Sequence, residues 1–598
     1  FYYPPQAKEN CSQCHMPTVA SRDFGARDFD HDGVLKVHDH LFPTANTGVA
    51  WLREKPDVVK AHQEFLKGVM RVDLFGVREG GTIDGRLTAP LRPDVPALKA
   101  GETYLLETVI RTLKMGHLFT QGTADSNEVW LDVTVTSGGK VIGRSGALDP
   151  ERGKEVDPWS HFVNVFMLDK DGNRIDRRNP QDIFTPLYNH QIPPGAGQTV
   201  HYTLTLPDRL DAPVTVEVKL QYRKFDQPYM DFVAKANEKL GQIIRGHEPG
   251  RPYVNELPIT TLAVDRLTFP VEGVEAAVEN PTPEFPLWQR WNDYGIGLLL
   301  KGKAELRQAE EAFAEVEKLG RFDGPLNLAR VYNAEGRLDE AVEALNRAEA
   351  FKGEADYPRW TWAWLSGWVN SQQGQFVDAE RNLRSVLEDR TPAMIERGFD
   401  FSLDYEVINL HGETLFALGQ QRERQELREE AERYWRQAVE QFRKTLAIDS
   451  EDVTAHYNLQ LLYDKLGEPE KASGHGALHG QYKSDDTARG RAVRLAKEKY
   501  PAAAQAAEAV VVYDLQRPDA PGLNVPGDPV ARSGGFQPPS DARGATSRRL
   551  EAAATKLPPA RSSTPSAARQ PLPDSTSNAE IGRSTTPSYN RPSTGGGE

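Results

Sequence analysis

The chain has 598 residues, too many for one hydrophobic core, so three or four domains are expected. A formal charge of −14 leaves no basic face to repay counterion release, which excludes nucleic acid as a partner. Only 38% of the residues are hydrophobic, and no apolar run reaches the ~18 residues of a membrane-crossing helix, so no membrane span is expected.

Residues 1–92 are loop-rich and contain Cys11-Ser12-Gln13-Cys14-His15, which holds both cysteines of the chain. In Cys-x-x-Cys-His the two thiols form thioethers with the vinyl groups of a haem, and the spacing sets His15 under the iron as proximal ligand. A zinc site would require further ligands, and a redox Cys-x-x-Cys usually lies between a strand and a helix. We read 1–92 as a c-type haem-binding segment with one haem c held covalently. Met16 adjoins His15 and cannot reach the opposite face of the ring, so it reads as packing. His31, His38 and His40 fall within ten residues of a chain with 14 histidines in all, which makes them candidates for the distal position. His40 is preferred to His38, because Leu41-Phe42-Pro43 would stiffen the backbone behind it. A helix is predicted from Val58 to Met70, followed by glycine-rich turns.

Haem is attached to such motifs outside the cytoplasm, so a periplasmic or extracellular (secreted) protein is expected. The sequence opens at Phe1-Tyr2-Tyr3-Pro4-Pro5 without an initiator methionine, and a targeting signal is expected upstream.

Between 93 and 275 the pattern becomes that of strands. Runs such as Thr103–Ile110, Glu128–Val135 and Val214–Leu220 are β-branched and alternate, with Gly-Gly and Pro-Pro-Gly turns between them; an antiparallel β-sandwich is predicted. His161 reads as structural there, and His190 as an anchor for the Pro-Pro-Gly turn.

Past the prolines at 281–286 the period is helical. Ala309/Phe313, Ala341/Leu345, Ala379/Leu383 and Ala438/Phe442 recur, and Ala472 opens a fifth unit. Gly297, Ala329, Gly367 and Gly412 stand upstream of the first four, and Gly336, Gly374, Gly419 and Gly467 mark inter-helix turns. A period near 34 with small residues at helix contacts predicts an α-helical solenoid of tetratricopeptide (TPR) type over 287–515, with a charged insertion at Gln420–Glu430. His475 and His479 lie among Gly474, Gly476 and Gly480, and an exposed loop is expected. Residues 516–598 are rich in Pro, Ser, Ala and Gly and are expected to form a disordered tail.

The stretch Glu9–Pro17, followed by His38-Asp39-His40-Leu41-Phe42-Pro43-Thr44, resembles multihaem c-type cytochromes of the tetrahaem type that carry a β-domain and C-terminal tetratricopeptide repeats. Gly116-His117-Leu118-Phe119, Tyr188–Gly195 and Ala507–Leu515 are similar as well, so the resemblance spans roughly 1–515. It implies close-packed haems, mostly with two histidines per iron. This chain has a single haem motif, so the resemblance also implies further motifs in an N-terminal part. His38, His40 and His117 would then ligate the iron of haems bound there, in contact with other redox proteins or haem subunits.

These observations point to an electron-transfer protein rather than an enzyme, with the repeats binding a partner protein or mediating self-assembly. The competing readings are a multihaem oxidoreductase, such as a reductase of nitrogen or sulfur oxyanions, and a TPR scaffold in which the haem is a structural staple.

Overall fold

The computed structural model describes residues 10–523 apart from Thr120, Gln121 and Thr123. Most of the tail expected over 516–598 lies outside the described residues. Its first part, 516–523, is packed. Gln516 bonds the backbone of Thr205 and Ile142, Arg517 pairs with Asp157, and Ala520 is buried.

The N-terminal segment is built from short pieces. Helical turn α1 (Ser12–His15) leads into β1 (Thr18–Ala20), which pairs antiparallel with β2 (Lys36–His38). Helices α2 (Thr47–Leu52) and α3 (Pro56–Phe65) follow. The helix expected to reach Met70 stops at Phe65, and Met70 opens a strand instead.

That strand, β3 (Met70–Glu79), is the first of the sandwich, which therefore begins well before residue 93. In chain order come β4 (Leu87–Thr88), β5 (Thr103–Thr112), β6 (Glu128–Ser137), β7 (Lys140–Ser145) and the small ribbon β8 (Leu148–Asp149) with β9 (Glu155–Val156). The hairpin β10 (Val165–Leu168) and β11 (Thr185–Asn189) precedes β12 (Gly197–Thr205) and β13 (Val214–Arg223). Helix α4 (Gln227–Lys239), β14 (Ile259–Phe269) and finally β15 (Val512–Asp514) complete the set. One sheet has the order β15-β12-β5-β3-β4, the other β14-β13-β6-β7.

The second sheet alternates: in β13 buried Val214, Val216, Val218 and Leu220 are separated by half-buried polar residues. Each of these apolar side chains gains about 1.5–3 kcal/mol by leaving water. The first sheet does not alternate, because both of its faces are covered. One face packs on the second sheet, and the other packs on the first helix of the solenoid. Its second face carries polar side chains that are buried all the same, including Asp73, Arg78, Glu107, Arg111 and His201.

The solenoid consists of helix pairs α5 (Leu287–Leu299) with α6 (Leu306–Lys318), α7 (Asp323–Glu335) with α8 (Leu338–Glu349), and α9 (Arg359–Gln372) with α10 (Phe376–Glu388). After the short α11 (Pro392–Arg397) come α12 (Tyr405–Arg424) with α13 (Arg428–Ile448), and α14 (Val453–Lys465) with α15 (Pro469–Tyr482). Small residues admit bulky ones as the sequence implies: a Cβ on Gly367 would stand 2.7 Å from Leu383, and one on Gly412 would stand 2.8 Å from Phe442. Two glycines serve otherwise than expected. Gly419 lies inside α12 against Trp435, because the insertion lengthens α12 and α13 rather than forming a loop. Gly297 faces the sheet, while Gly295 is the residue that admits Phe313.

Helices α16 (Asp486–Lys499) and α17 (Pro501–Ala506) do not extend the repeats. Ala496 and Ala503 pack on Phe166 and Leu168 of β10, and β15 then joins β12 in parallel. The solenoid thus ends at α15, short of residue 515, and the chain returns to the sandwich. Among the described residues no helix is long and apolar enough to cross a membrane.

Gly297→Leu should cost on the order of 3 kcal/mol, since the added Cβ would meet the backbone nitrogen of Thr199 at 2.5 Å and push α5 off β12. Urea denaturation measures this; an unchanged midpoint would show that the junction yields freely.

Candidate functional site

Cys11 and Cys14 begin and close the first helical turn, where the amides of Cys14 and His15 donate to the Cys11 carbonyl at 3.3 and 2.9 Å. Both thiols are exposed and no disulfide joins them. His15 is half-buried, and its Nδ1 lies 2.7 Å from the carbonyl oxygen of Pro43. A carbonyl cannot donate, so Nδ1 carries a proton, and in the neutral imidazole the lone pair is then on Nε2.

The acceptor is itself held. The amide of Thr44 donates to Nδ1 of buried His62 at 3.0 Å, and the hydroxyl of Tyr222 donates to the carbonyl of Ala45. Pro43 is thereby tied to α3 on one side and to β13 on the other. Such outer partners fix the tautomer and the ring orientation of a ligating histidine. Nearby, Trp51 and Leu52 of α2 pack on a cluster formed by Phe225, Met230, Ala234 and Tyr253, which seats the segment on the flank of the sandwich.

The ring of His15 lies 4.9 Å from Phe42 and 5.2 Å from Phe65, centre to centre. It also lies 6.3 Å from His117, with the two imidazole planes only 12° apart. His117 sits exposed in the β5–β6 loop, anchored by buried Phe119, whose ring meets Tyr222 at 5.5 Å. Its Nδ1 lies 2.9 Å from the carbonyl of Leu118, so this ring too carries a proton on Nδ1. His38 repeats the arrangement, with Nδ1 2.9 Å from the carbonyl of Met16. His40 is exposed on the turn after β2, and His31 is exposed in the β1–β2 connection at φ 56°.

Whether these residues fit a haem is a question of distance. A metal–imidazole bond of about 2.0 Å on each side, plus about 1.1 Å from nitrogen to ring centre, separates two axial imidazoles by roughly 6.2 Å. The His15–His117 ring centres stand at a comparable separation, stacked with their planes 12° apart. Large apolar side chains are exposed around the segment as well: Phe24 wholly so, and Phe29, Leu35, Leu41, Phe42 and Leu118 in part. Solvent-facing surface of this kind suits a large apolar group. Among the described residues no three His, Cys, Asp or Glu side chains are grouped to hold a bare metal ion. Haem iron needs no such group, because the macrocycle supplies four of its ligands.

Residues that sequence reasoning passed over lie between β1 and β2. Asp28 accepts the amides of Asp32 and Gly33, while the Lys36 ammonium bridges Asp30 at 2.6 Å and Asp32 at 2.5 Å. The Asp28-Phe29-Asp30-His31-Asp32-Gly33 spacing was the available signal. Lys36, the first residue of β2, supplies the positive charge. His475 and His479, expected in a loop, lie on α15; Nδ1 of His475 is 2.9 Å from Nδ1 of His456.

No family model matches the sequence, and no curated protein matches it. Among solved structures, about a third of the chain is similar to MamA proteins. MamA AMB-1 is 19% identical, with 33% of this chain and 98% of that chain covered at a TM-score of 0.25. MamA MSR-1 is 19% identical over 33% and 95%, also at 0.25, and a MamA RS-1 ArsTM double mutant 12% identical over 33% and 93%, again at 0.25. The helical repeat architecture of the C-terminal half stands on the five antiparallel helix pairs of this chain.

Proposed function

We propose that this chain is an extracytoplasmic electron-transfer cytochrome, in which Cys11 and Cys14 would hold one haem c covalently and His15 and His117 would supply nitrogen to its iron. The observation that carries the reading is the pair of near-parallel imidazoles 6.3 Å apart, each with Nδ1 committed to a backbone carbonyl. It favours His117 over His40 for the distal position.

Bound there, the haem would supply a one-electron Fe(III)/Fe(II) couple. The chain's own residues would do the rest. The Pro43 and Leu118 carbonyls accept the Nδ1 protons and orient both rings. Phe42 and Phe65 restrict rotation of His15, and Leu41, Phe42 and Leu118 limit access of water. With His15 and His117 both holding the haem, the site would suit electron transfer rather than oxyanion reduction. His38, with its Nδ1 likewise committed, is suited to the iron of a further haem carried by a redox partner or haem subunit. The helix pairs offer a surface for a protein partner or for self-assembly.

Haem staining of the denatured protein and its mass test the attachment. The chain should carry one haem increment, reduced or lost in Cys11→Ala and Cys14→Ala. Undiminished staining in both variants would refute the assignment. Stoichiometric carbon monoxide binding by the unmodified ferrous protein would put the oxidoreductase reading first.

A further inference from the structure

A cleft of about 410 Å³ opens between β11, the start of β12, the C-terminal end of α5 and the returning segment 506–513, away from the cysteines. Its walls carry apolar Leu187, Ile192, Leu300 and Val511, and its polar groups include Gln198, His190 and Lys301; Glu508 lines it as well and is paired with Lys497 at 3.1 Å.

The polar side of this cleft is preorganised. Burial and the neighbouring His190 keep His161 neutral, well below the usual histidine range. The Tyr513 hydroxyl, 3.0 Å away, therefore donates to its Nδ1, and its Nε2–H donates to the Gln198 carbonyl at 3.0 Å. That assignment turns the amide NH₂ of Gln198 into the donor it has left. His190 lies on His161, ring centres 5.2 Å apart, and Tyr188 on His190 at 4.4 Å.

Lys301 adds charge. Its ammonium lies 3.3 Å from Glu305, which also faces Nε2 of His201 at 3.1 Å, while Nδ1 of His201 lies 2.5 Å from Glu107. Both nitrogens of His201 thus face carboxylates, so both donate and the ring is an imidazolium. Glu107 is paired further with Arg78 at 2.6 Å. Burial lowers the Lys301 amine from its ordinary value and the carboxylates of Glu305 and Glu107 oppose that; with Lys301 protonated, these two negative charges stand against three positive ones on Arg78, His201 and Lys301. One positive charge is in excess. The C-terminal dipole of α5 offsets at most about half of it. Of the three cations, Lys301 is the one that lines the cleft.

We propose that this cleft binds a small organic monoanion, a carboxylate on an apolar body, with Lys301 as its charge anchor and the Gln198 amide as a second donor. A single excess charge selects a monoanion over a polyphosphate, and the apolar walls select an organic body over an inorganic ion. The site is separate from the haem reading and stands whether or not that reading does.

The test is calorimetric titration of the full chain with benzoate, and with benzamide as its neutral isostere. Benzoate should bind and benzamide should not. Lys301→Met should weaken benzoate about 30-fold, the worth of a charge-assisted hydrogen bond, while Lys301→Arg should stay within about 3-fold of the native chain. Ala509→Trp, an exposed residue at the mouth, should block entry without touching the ion pairs, and it carries the test if Lys301→Met does not fold. Cys11→Ala should bind benzoate as the native chain does, so a failure of the haem assignment leaves this result intact. Equal affinity for benzamide, undiminished affinity in a folded Lys301→Met or in Ala509→Trp, or no binding of benzoate at all would overturn the proposal.

Discussion

Glu107→Ala should destabilise the protein by about 3–5 kcal/mol, the usual cost of removing one partner from a buried ion pair. Glu107 is wholly buried and touches Arg78 at 2.6 Å, His201 at 2.5 Å and the Tyr294 hydroxyl at 3.1 Å. Its loss strands a guanidinium and an imidazolium between the sheet and α5. Burial alone would raise this carboxyl, but His201 and Arg78 outweigh it and hold the group down to about 2. Its stabilising effect is therefore complete above the ordinary value of 4.5 and disappears as pH falls towards 2. Burial likewise opposes the charge on His201, while Glu107 and Glu305 raise its pKa above 6.5, so its contribution is complete below 6.5 and fades as pH rises. The stability difference between the native chain and Glu107→Ala should be greatest between about pH 4.5 and 6.5. Urea titrations across that range measure it. A difference that stayed constant from pH 3 to 8 would mean that the loss is one of packing and not of charge.

His117→Ala should change the haem from six-coordinate and low-spin to five-coordinate and high-spin, with carbon monoxide binding to the ferrous form rising from negligible to stoichiometric. Covalent attachment should persist, because Cys11 and Cys14 are untouched. His40→Ala is the control: its side chain is exposed, and the optical spectrum should not move. A low-spin spectrum in His117→Ala beside a high-spin one in His40→Ala would return the distal position to His40. Phe119→Ala would act indirectly, by releasing the loop that Phe119 anchors on Tyr222.

The repeats were legible because their contacts are local. An alanine or glycine on one helix faces a large side chain on its partner within the same hairpin, as Gly367 faces Leu383, so the spacing appears directly in the sequence. Strand β3 was not legible for the opposite reason. Asp73 and Arg78 are buried against Arg290, Arg92, Glu107 and Tyr294, residues distant in the chain, and no alternation survives when both faces are covered. The same applies to α16, α17 and β15, whose helical period resembles that of the repeats while their partners lie on β10 and β12. At the candidate site Cys11, Cys14 and His15 could be read from their spacing. The approach of the His15 and His117 rings could not, since it depends on how the β5–β6 loop rests on Tyr222.

The parallel pairing of β15 with β12 joins residues 201–203 to 512–514, so the whole helical array is spelled out between two neighbouring strands. During synthesis the edge of β12 stays open until residue 514 has emerged, and an open edge is where foreign strands attach. The repeats, whose contacts are short-range, can fold in that interval and carry the last strand back to its place. The order of assembly is therefore set by the chain path: helices first, sheet closure last. An interruption anywhere before residue 514 leaves a sticky, unfinished sheet.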